Sequence, residues 1–171
     1  IGVYASVMRE LGKPLCFPGG GRYVHAASDS RLIAQAAHFL MTHESARNQT
    51  FNVVNGDVLV WHDIWPSIAH HFGMQIGEPR PMQLAKEMPT FEDIWLRIVK
   101  KFQLREMSMA GFINSSWQFT DRSFGFGLDR PLDRIVSPIK LRQAGFAACE
   151  DTEDSVVFWL TQMQNARWLP K

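Results

Sequence analysis

The apolar positions of this chain recur mostly at helical spacing. Val3, Val7 and Leu11, with Tyr4 and Met8 beside them, predict a helix from Ile1 to Leu11, which Gly12 stops and Pro14 forbids from continuing. Leu15-Cys16-Phe17 predicts a short strand, and Pro18-Gly19-Gly20-Gly21 a plain turn after it. Tyr23 to Ala27 is read as a second short strand. Ser28-Asp29-Ser30 offers N-cap oxygens to a helix with Leu32, Ala36, Phe39 and Leu40 on one face. Phe51 to Val54 reads as a buried strand, and Asn55-Gly56 as a tight break. A helix follows, capped by Asp63, with Pro66 in its first turn and Ile64, Trp65, Ile68 and Phe72 buried before Gly73. A strand that feeds a helix is half of a β-α-β unit, whose other half is a parallel strand alongside. The chain offers few candidates for that partner, which predicts the back end of a larger α/β enzyme.

Past Gly73 the pattern stays helical but is interrupted. Met74 to Pro89 holds three prolines and reads as an irregular connection. Thr90-Phe91-Glu92-Asp93 resembles a capping box before a stripe of Ile94, Trp95, Ile98, Val99 and Phe102. From Met107 to Phe126, aromatic residues alternate with small polar ones. The segment is expected to be helical in part, to about Asp121, and to end in a loop at Gly125 and Gly127. Leu128 to Val136, with two Asp-Arg pairs, is expected to be exposed. Ser137 as N-cap, Pro138 as first helical residue and Gly145 as C-cap predict a short helix. Asp151 or Thr152 caps a last helix reaching about Asn165, with Val156, Trp159, Leu160 and Met163 inward and acidic residues in its first turn.

Composition narrows the function classes. A net charge of +1 with interspersed signs gives neither a basic footprint for nucleic acid nor a polybasic segment for a membrane. No apolar run approaches a spanning helix and no segment reads as a signal peptide, so a cytoplasmic protein is expected. Cys16 and Cys149 are read as buried thiols in a reducing compartment, without the CxxC spacing of redox or zinc sites. The chain opens with Ile1 inside a helix, which leads to the expectation of a truncated or processed chain. Among six histidines no pair has metal-ligand spacing. No G-x-S-x-G elbow is present, and the three glycines lack the G-x-G-x-x-G pattern. No metal site is therefore expected, a Ser-His-Asp triad has no elbow to support it, and no catalytic residue is assigned. Twelve Phe and six Trp fill a large core or line an apolar pocket. At Phe112 to Phe126, where glycines and small polar residues break the stripe, a pocket wall or lid stands beside the core reading.

The order of these signals resembles a known family. The series runs through Val3-Tyr4-Ala5 to Gly12, Pro14-Leu15-Cys16-Phe17-Pro18-Gly19, and Ala27-Ser28-Asp29-Ser30-Arg31-Leu32. It continues through Phe51-Asn52-Val53-Val54-Asn55-Gly56-Asp57, Trp61, Trp65-Pro66 and Phe72-Gly73. Ser137, Lys140, Gly145-Phe146, Thr152, Ser155, Phe158-Trp159-Leu160 and Trp168-Leu169-Pro170 close it. This looks like the C-terminal half of an extended short-chain dehydrogenase/reductase. It is similar to the atypical subgroup of progesterone 5β-reductase and iridoid synthase, whose bacterial members are often labelled NAD-dependent epimerase/dehydratase. Arg122 to Val136 and Val60-Trp61 depart from the pattern.

The resemblance implies an α/β Rossmann-type parent, of which this chain is the mostly helical C-terminal part with a few short strands. Residues 1–60 would be the last strands and helices of the Rossmann domain, and 61–171 a helical substrate-binding region. The parent would use NADP or NAD to reduce an apolar enone or carbonyl compound, with a Tyr and a Lys stabilising the developing enolate. The Gly-rich turn and that pair are absent here, since Tyr4 and Tyr23 are followed four residues on by Met8 and Ala27. No cofactor is therefore expected for this chain alone. The family's aromatic pocket wall falls at Trp117, Phe119 and Phe124. The isolated chain is expected to be inactive and to self-associate through apolar surface and an unpaired edge at Phe51 to Val54. The alternatives are a free-standing ligand-binding or interaction module derived from this fold and, with less support from the aromatic segment, a nucleotide-sugar epimerase.

Overall fold

The computed structural model describes residues 1–105, 108–129 and 132–171. Met107, the first residue of the aromatic segment, and Arg130, in the first Asp-Arg pair, lie outside the described residues. The chain divides into two compact units, one built from residues 1–22, 61–131 and 157–171, the other from 23–60 and 132–156. Neither unit is continuous in sequence.

In the first unit, α1 (Gly2–Glu10) forms as expected and buries Val3, Tyr4, Val7 and Met8. Gly12 follows it at a positive φ of 65° that only glycine adopts without strain. Strand β1 (Leu15–Cys16) pairs in parallel with β2 (Ile76–Gly77), with Leu15 opposite Ile76. The expected irregular stretch from Met74 to Pro89 thus contains a strand, and also α4 (Leu84–Glu87). Both depend on distant partners: Leu15 N–H donates to the Gln75 carbonyl at 2.8 Å, and the amides of Leu84 and Ala85 donate to the Asp121 carboxylate at 2.8 and 3.0 Å.

Helix α3 (Trp61–His71) buries Ile64, Trp65, Ile68 and Ala69, and Phe72 is buried just after it. It starts two residues before Asp63, which therefore sits in the first turn instead of capping it. Pro66 lies inside the helix on its exposed side, where water can reach the carbonyl that its missing N–H leaves free. Helix α5 (Glu92–Phe102) buries Trp95, Ile98 and Val99. The capping box does not form. Thr90 Oγ1 donates to the Glu87 carbonyl, and the Glu92 carboxylate reaches away to the Met109 N–H at 2.9 Å. Two short helices, α6 (Met109–Ile113) and α7 (Ser116–Ser123), occupy the aromatic segment, and Gly125 and Gly127 follow at positive φ.

The second unit holds α2 (Ser30–Thr42), a 3-10 turn at Glu44–Ala46, and α8 (Ile139–Gln143). Its core is Leu32, Ala36, Phe39, Ala46, Leu141 and Phe146, with Phe51 and Val53 packed on it. Helix α9 (Thr152–Asn165) begins in this unit and ends in the first.

Further expectations fail here. Phe51 to Val54 forms no strand, and so presents no strand edge. The segment is held by side chains instead of a ladder: Ser28 Oγ donates to the Val53 carbonyl, Asn52 Nδ2 to the Ser137 carbonyl and Lys140 Nζ to the Thr50 carbonyl. Tyr23 to Ala27 reduces to isolated bridges from His25 to Leu59 and Arg134. On α9, Trp159 and Met163 do not face inward. They are 40% and 41% exposed, while Thr152, Ser155 and Leu160 are buried. The cysteines differ too, since Cys16 is half-buried and Cys149 exposed. Among the described residues no helix is long and apolar enough to cross a membrane.

Candidate functional site

Trp117 and Phe119 stand two positions apart on α7 and so point to opposite sides of it. Trp117 is buried, Phe119 is 75% exposed, and Phe124, just past the helix, is buried. The three therefore do not converge on one wall. Phe124 belongs to an aromatic cluster with Phe17, Trp61 and Trp65, at ring separations of 5.2, 4.9 and 5.6 Å and edge-on to both tryptophans. Such edge-to-face pairs contribute on the order of 1 kcal/mol each beyond the area they bury. The Trp65 indole N–H donates to the Leu15 carbonyl at 3.3 Å, which ties the cluster to β1.

The glycine run serves this cluster. A methyl group on Gly19 would collide with the Phe124 carbonyl, and one on Gly20 with the Gly125 carbonyl. Gly20 N–H donates to the Phe124 carbonyl at 2.9 Å. The glycines thus permit two backbones to approach side by side. The turn reading is correct about the bend but misses this approach, which only the partner backbone discloses.

Two hollows are lined by described residues of the first unit alone. One is an apolar groove of about 490 Å³ between Gly111-Phe112 of α6, Trp159 and Met163 of α9, and Trp168. Phe112 and Trp168 line it as nearly parallel rings 5.5 Å apart, and the buried Trp95 ring stacks on Phe112 at 5.9 Å. The Arg105 guanidinium lies 4.5 Å from the centre of the Trp168 ring. The groove explains the outward-facing residues of α9. None of Trp117, Phe119 and Phe124 lines it. The other hollow, of about 360 Å³, lies beside α1 and is lined by Tyr4, Met8, Arg80, Met82 and Phe91 among others. The Tyr4 hydroxyl donates to the Cys16 carbonyl at 2.9 Å, and burial raises the phenol well above its usual range.

The second unit carries a polar knot made of residues from the motif series. The Asp29 side chain has no exposure. It caps α2 by accepting from Arg31 N–H at 2.7 Å, and also accepts from the Arg31 guanidinium at 2.9 and 3.0 Å and from Ser155 Oγ. Asn55 Oδ1 accepts from Asp29 N–H at 2.6 Å, while Asn55 Nδ2 donates to Thr152 Oγ1 at 2.9 Å. The Asp57 carboxylate accepts from Thr152 N–H at 2.8 Å and Thr152 Oγ1 at 2.6 Å, at the start of α9, where the helix dipole favours an anion. Gly56, at a φ of 113°, makes the turn between Asn55 and Asp57. The groups satisfy one another, so the knot fixes where three segments meet and leaves Asp29 engaged structurally. Among the described residues no group of three or more His, Cys, Asp or Glu side chains is placed to hold a metal ion.

No family model matches the chain. Curated relatives match it along nearly its whole length. A 3-oxo-Delta(4,5)-steroid 5-beta-reductase of Arabidopsis thaliana is 28% identical, over 98% of this chain and 43% of its own. The (S)-8-oxocitronellyl enol synthase of Antirrhinum majus is 30% identical, over 98% of this chain and 43% of its own. One of the (S)-8-oxocitronellyl enol synthases of Camptotheca acuminata is 28% identical, over 99% of this chain and 45% of its own. The chain therefore spans less than half the length of the curated relatives it matches. Along its whole length it is a homologue of progesterone 5β-reductase and iridoid synthase, members of the extended short-chain dehydrogenase/reductases that its motif series resembles.

Proposed function

We propose that this chain is the C-terminal, substrate-binding part of a cytoplasmic NAD(P)-dependent oxidoreductase, and that the whole enzyme reduces an enone or carbonyl group on an apolar small molecule. The carrying observation is homology over 98% of the chain to a 5-beta-reductase and to enol synthases of which it spans 43%. The absence of a Gly-rich turn and of a Tyr-x-x-x-Lys pair from the sequence agrees with a C-terminal origin. In this reading residues 1–60 carry the last part of the Rossmann domain and 61–171 the substrate region. Nicotinamide binding and hydride transfer belong to the remainder of the enzyme. Phe119 supplies an accessible apolar face to the substrate, and Trp117 and Phe124 support the segment that presents it from the core. The chain alone is then catalytically silent.

Titration of the 171-residue chain with NADPH and NADH, followed by nicotinamide fluorescence and by turnover of a 3-oxo-Δ4,5-steroid, tests this. The expected result is no saturable binding and no turnover. Tight, stoichiometric binding of either nucleotide overturns the reading.

A free-standing ligand-binding or interaction module is the second reading. It is favoured by the two cores that the chain builds from its own residues, around Leu32 and Phe39 in one unit and Trp65 and Phe124 in the other. The exposed Val58, Leu132, Ile135, Val136 and Ile139 of the second unit support self-association under either reading. Light scattering across a concentration series is expected to show a species heavier than the monomer, and a strict monomer at high concentration counts against it.

A further inference from the structure

The hollow beside α1 has features that the aromatic groove lacks. Its walls are apolar: Met8 on α1, Pro14 just before β1, Met82, and Phe91 before α5. The Tyr4 hydroxyl is engaged by the Cys16 carbonyl, so the phenol contributes mainly its ring. At about 360 Å³ the hollow falls within the size range of small-molecule sites. Three charged side chains, Lys13, Arg80 and Glu87, stand at its rim. All three are exposed, and among the described residues none of their charged groups makes a side-chain hydrogen bond or ion pair. Two uncommitted cations against one carboxylate leave a surplus of one positive charge over an apolar cup.

We propose that this hollow binds a small amphiphilic carboxylate, with its apolar tail among Met8, Met82 and Phe91 and its carboxylate at Arg80 and Lys13. A single surplus charge complements a monoanion better than a doubly charged phosphate ester. The planar guanidinium of Arg80 matches a carboxylate with two parallel hydrogen bonds, and the Lys13 ammonium adds a point charge. The methionine side chains, unbranched and polarisable, adapt to a flexible tail. Glu87 repels the anion and sets an upper limit on affinity. The proposal rests on the hollow and its rim alone and stands apart from the enzymatic reading above.

Octanoate, titrated into the 171-residue protein carrying isotope-labelled methionine methyl groups and followed by NMR, is the probe. The Met8 and Met82 methyls are expected to shift saturably, while Met163, in the other hollow, and the exposed Met41 stay still. Octanol, which keeps the tail without the charge, should bind at least about tenfold more weakly, and acetate should cause no shift. The K13A/R80A double variant should weaken octanoate by at least about tenfold. Glu87→Gln should tighten it several-fold, and raising the salt concentration should weaken it. Among the described residues none of the three side chains makes a hydrogen bond or ion pair of the fold, so these variants are expected to fold, and unchanged spectra outside the hollow verify that. Absence of saturable Met8 and Met82 shifts up to about 10 mM octanoate overturns the proposal. Equal binding of octanol, equal binding by the double variant, or shifts confined to Met163 overturn it as well.

Discussion

Residues 23–60 and 132–156 are tied together by a chain of buried polar groups, whereas residues 1–22, 61–131 and 157–171 are tied by aromatic rings. In the polar unit, Asp29 collects hydrogen bonds from Arg31 and Ser155, and Asn55 and Asp57 reach Thr152. In the aromatic unit, Phe17, Trp61, Trp65 and Phe124 meet edge-on, and Trp95, Phe112 and Trp168 stack. Hydrogen bonds demand donors and acceptors at set distances and angles, so the knot specifies how Asp29, the Asn55–Asp57 turn and the start of α9 meet. Ring packing rewards buried area and tolerates several geometries, so the aromatic unit gains stability with less directional constraint. A buried polar group is also costly once its partner is removed, while a removed ring leaves a cavity.

The largest effect should come from the aromatic side. Trp65→Ala removes a ring that contacts Tyr4, Phe17 and Phe124, and it removes the donor to Leu15. Urea unfolding should show a loss of about 4 kcal/mol. Trp65→Phe should recover more than half of it. A loss below about 1 kcal/mol would break the view that this cluster anchors its unit. Asp29→Ala should come next, with a loss of about 3 kcal/mol, because it strips the α2 cap, takes one carboxylate from Arg31, which keeps Glu150 at 3.3 Å, and removes the acceptor of the buried Ser155 hydroxyl. Combined with Ser155→Ala, the loss should be less than the sum of the single losses. Additivity would show that the two side chains do not act as one knot.

What the sequence disclosed follows the same contrast. Repeating apolar spacing made α1, α2, α5 and α9 legible within a residue or two, and Gly12, Gly73 and Gly145 fall at the positive φ their stop positions require. Asp29 and Thr152 are legible as candidate helix caps and Asn55 as part of a tight break, but nothing local joins them to one another or to Asp57 and Ser155. Their mutual bonding spans up to 126 positions and has no local signature. Strand β2 and helix α4 lay hidden in a proline-rich stretch because Leu15 and Asp121 complete them from afar. Phe51 to Val54 misled for the opposite reason. Its β-branched and aromatic composition favours a strand, but a strand exists only where a ladder partner lies beside it. The aromatic segment is visibly dense in rings. Helical phase then sends Trp117 inward and Phe119 outward, which composition does not disclose.

Protonation probes the aromatic unit on a smaller scale. His62 lies against Phe17 at 4.2 Å, and burial, reinforced by the Arg22 charge, holds its pKa below the ordinary value. Burial lowers His71 in the same way. The folded state keeps both rings neutral, so the unfolded chain takes up protons first. Their contribution to stability is fully present above the unfolded histidine pKa near 6.5 and is lost as pH falls through the lower folded values. The urea midpoint should therefore drop between about pH 7.5 and pH 5.5. In the His62→Phe/His71→Phe variant the drop should be smaller, and an unchanged slope would assign the pH response to other groups.

The smallest effect on stability, and the sharpest contrast within one segment, should separate Phe119 from Phe124. The two rings are five residues apart, yet one is 75% exposed and the other 1%. Phe119→Ala removes a ring that mostly meets water, so unfolding should move by no more than about 0.5 kcal/mol. Phe124→Ala empties space among Phe17, Trp61 and Trp65 and should cost about 3 kcal/mol or more. An exposed phenylalanine that contributes nothing to the fold is then free to serve contact with something outside the chain. If Phe119→Ala destabilises as much as Phe124→Ala, Phe119 is a packing residue after all, and its assignment to the substrate face falls with it.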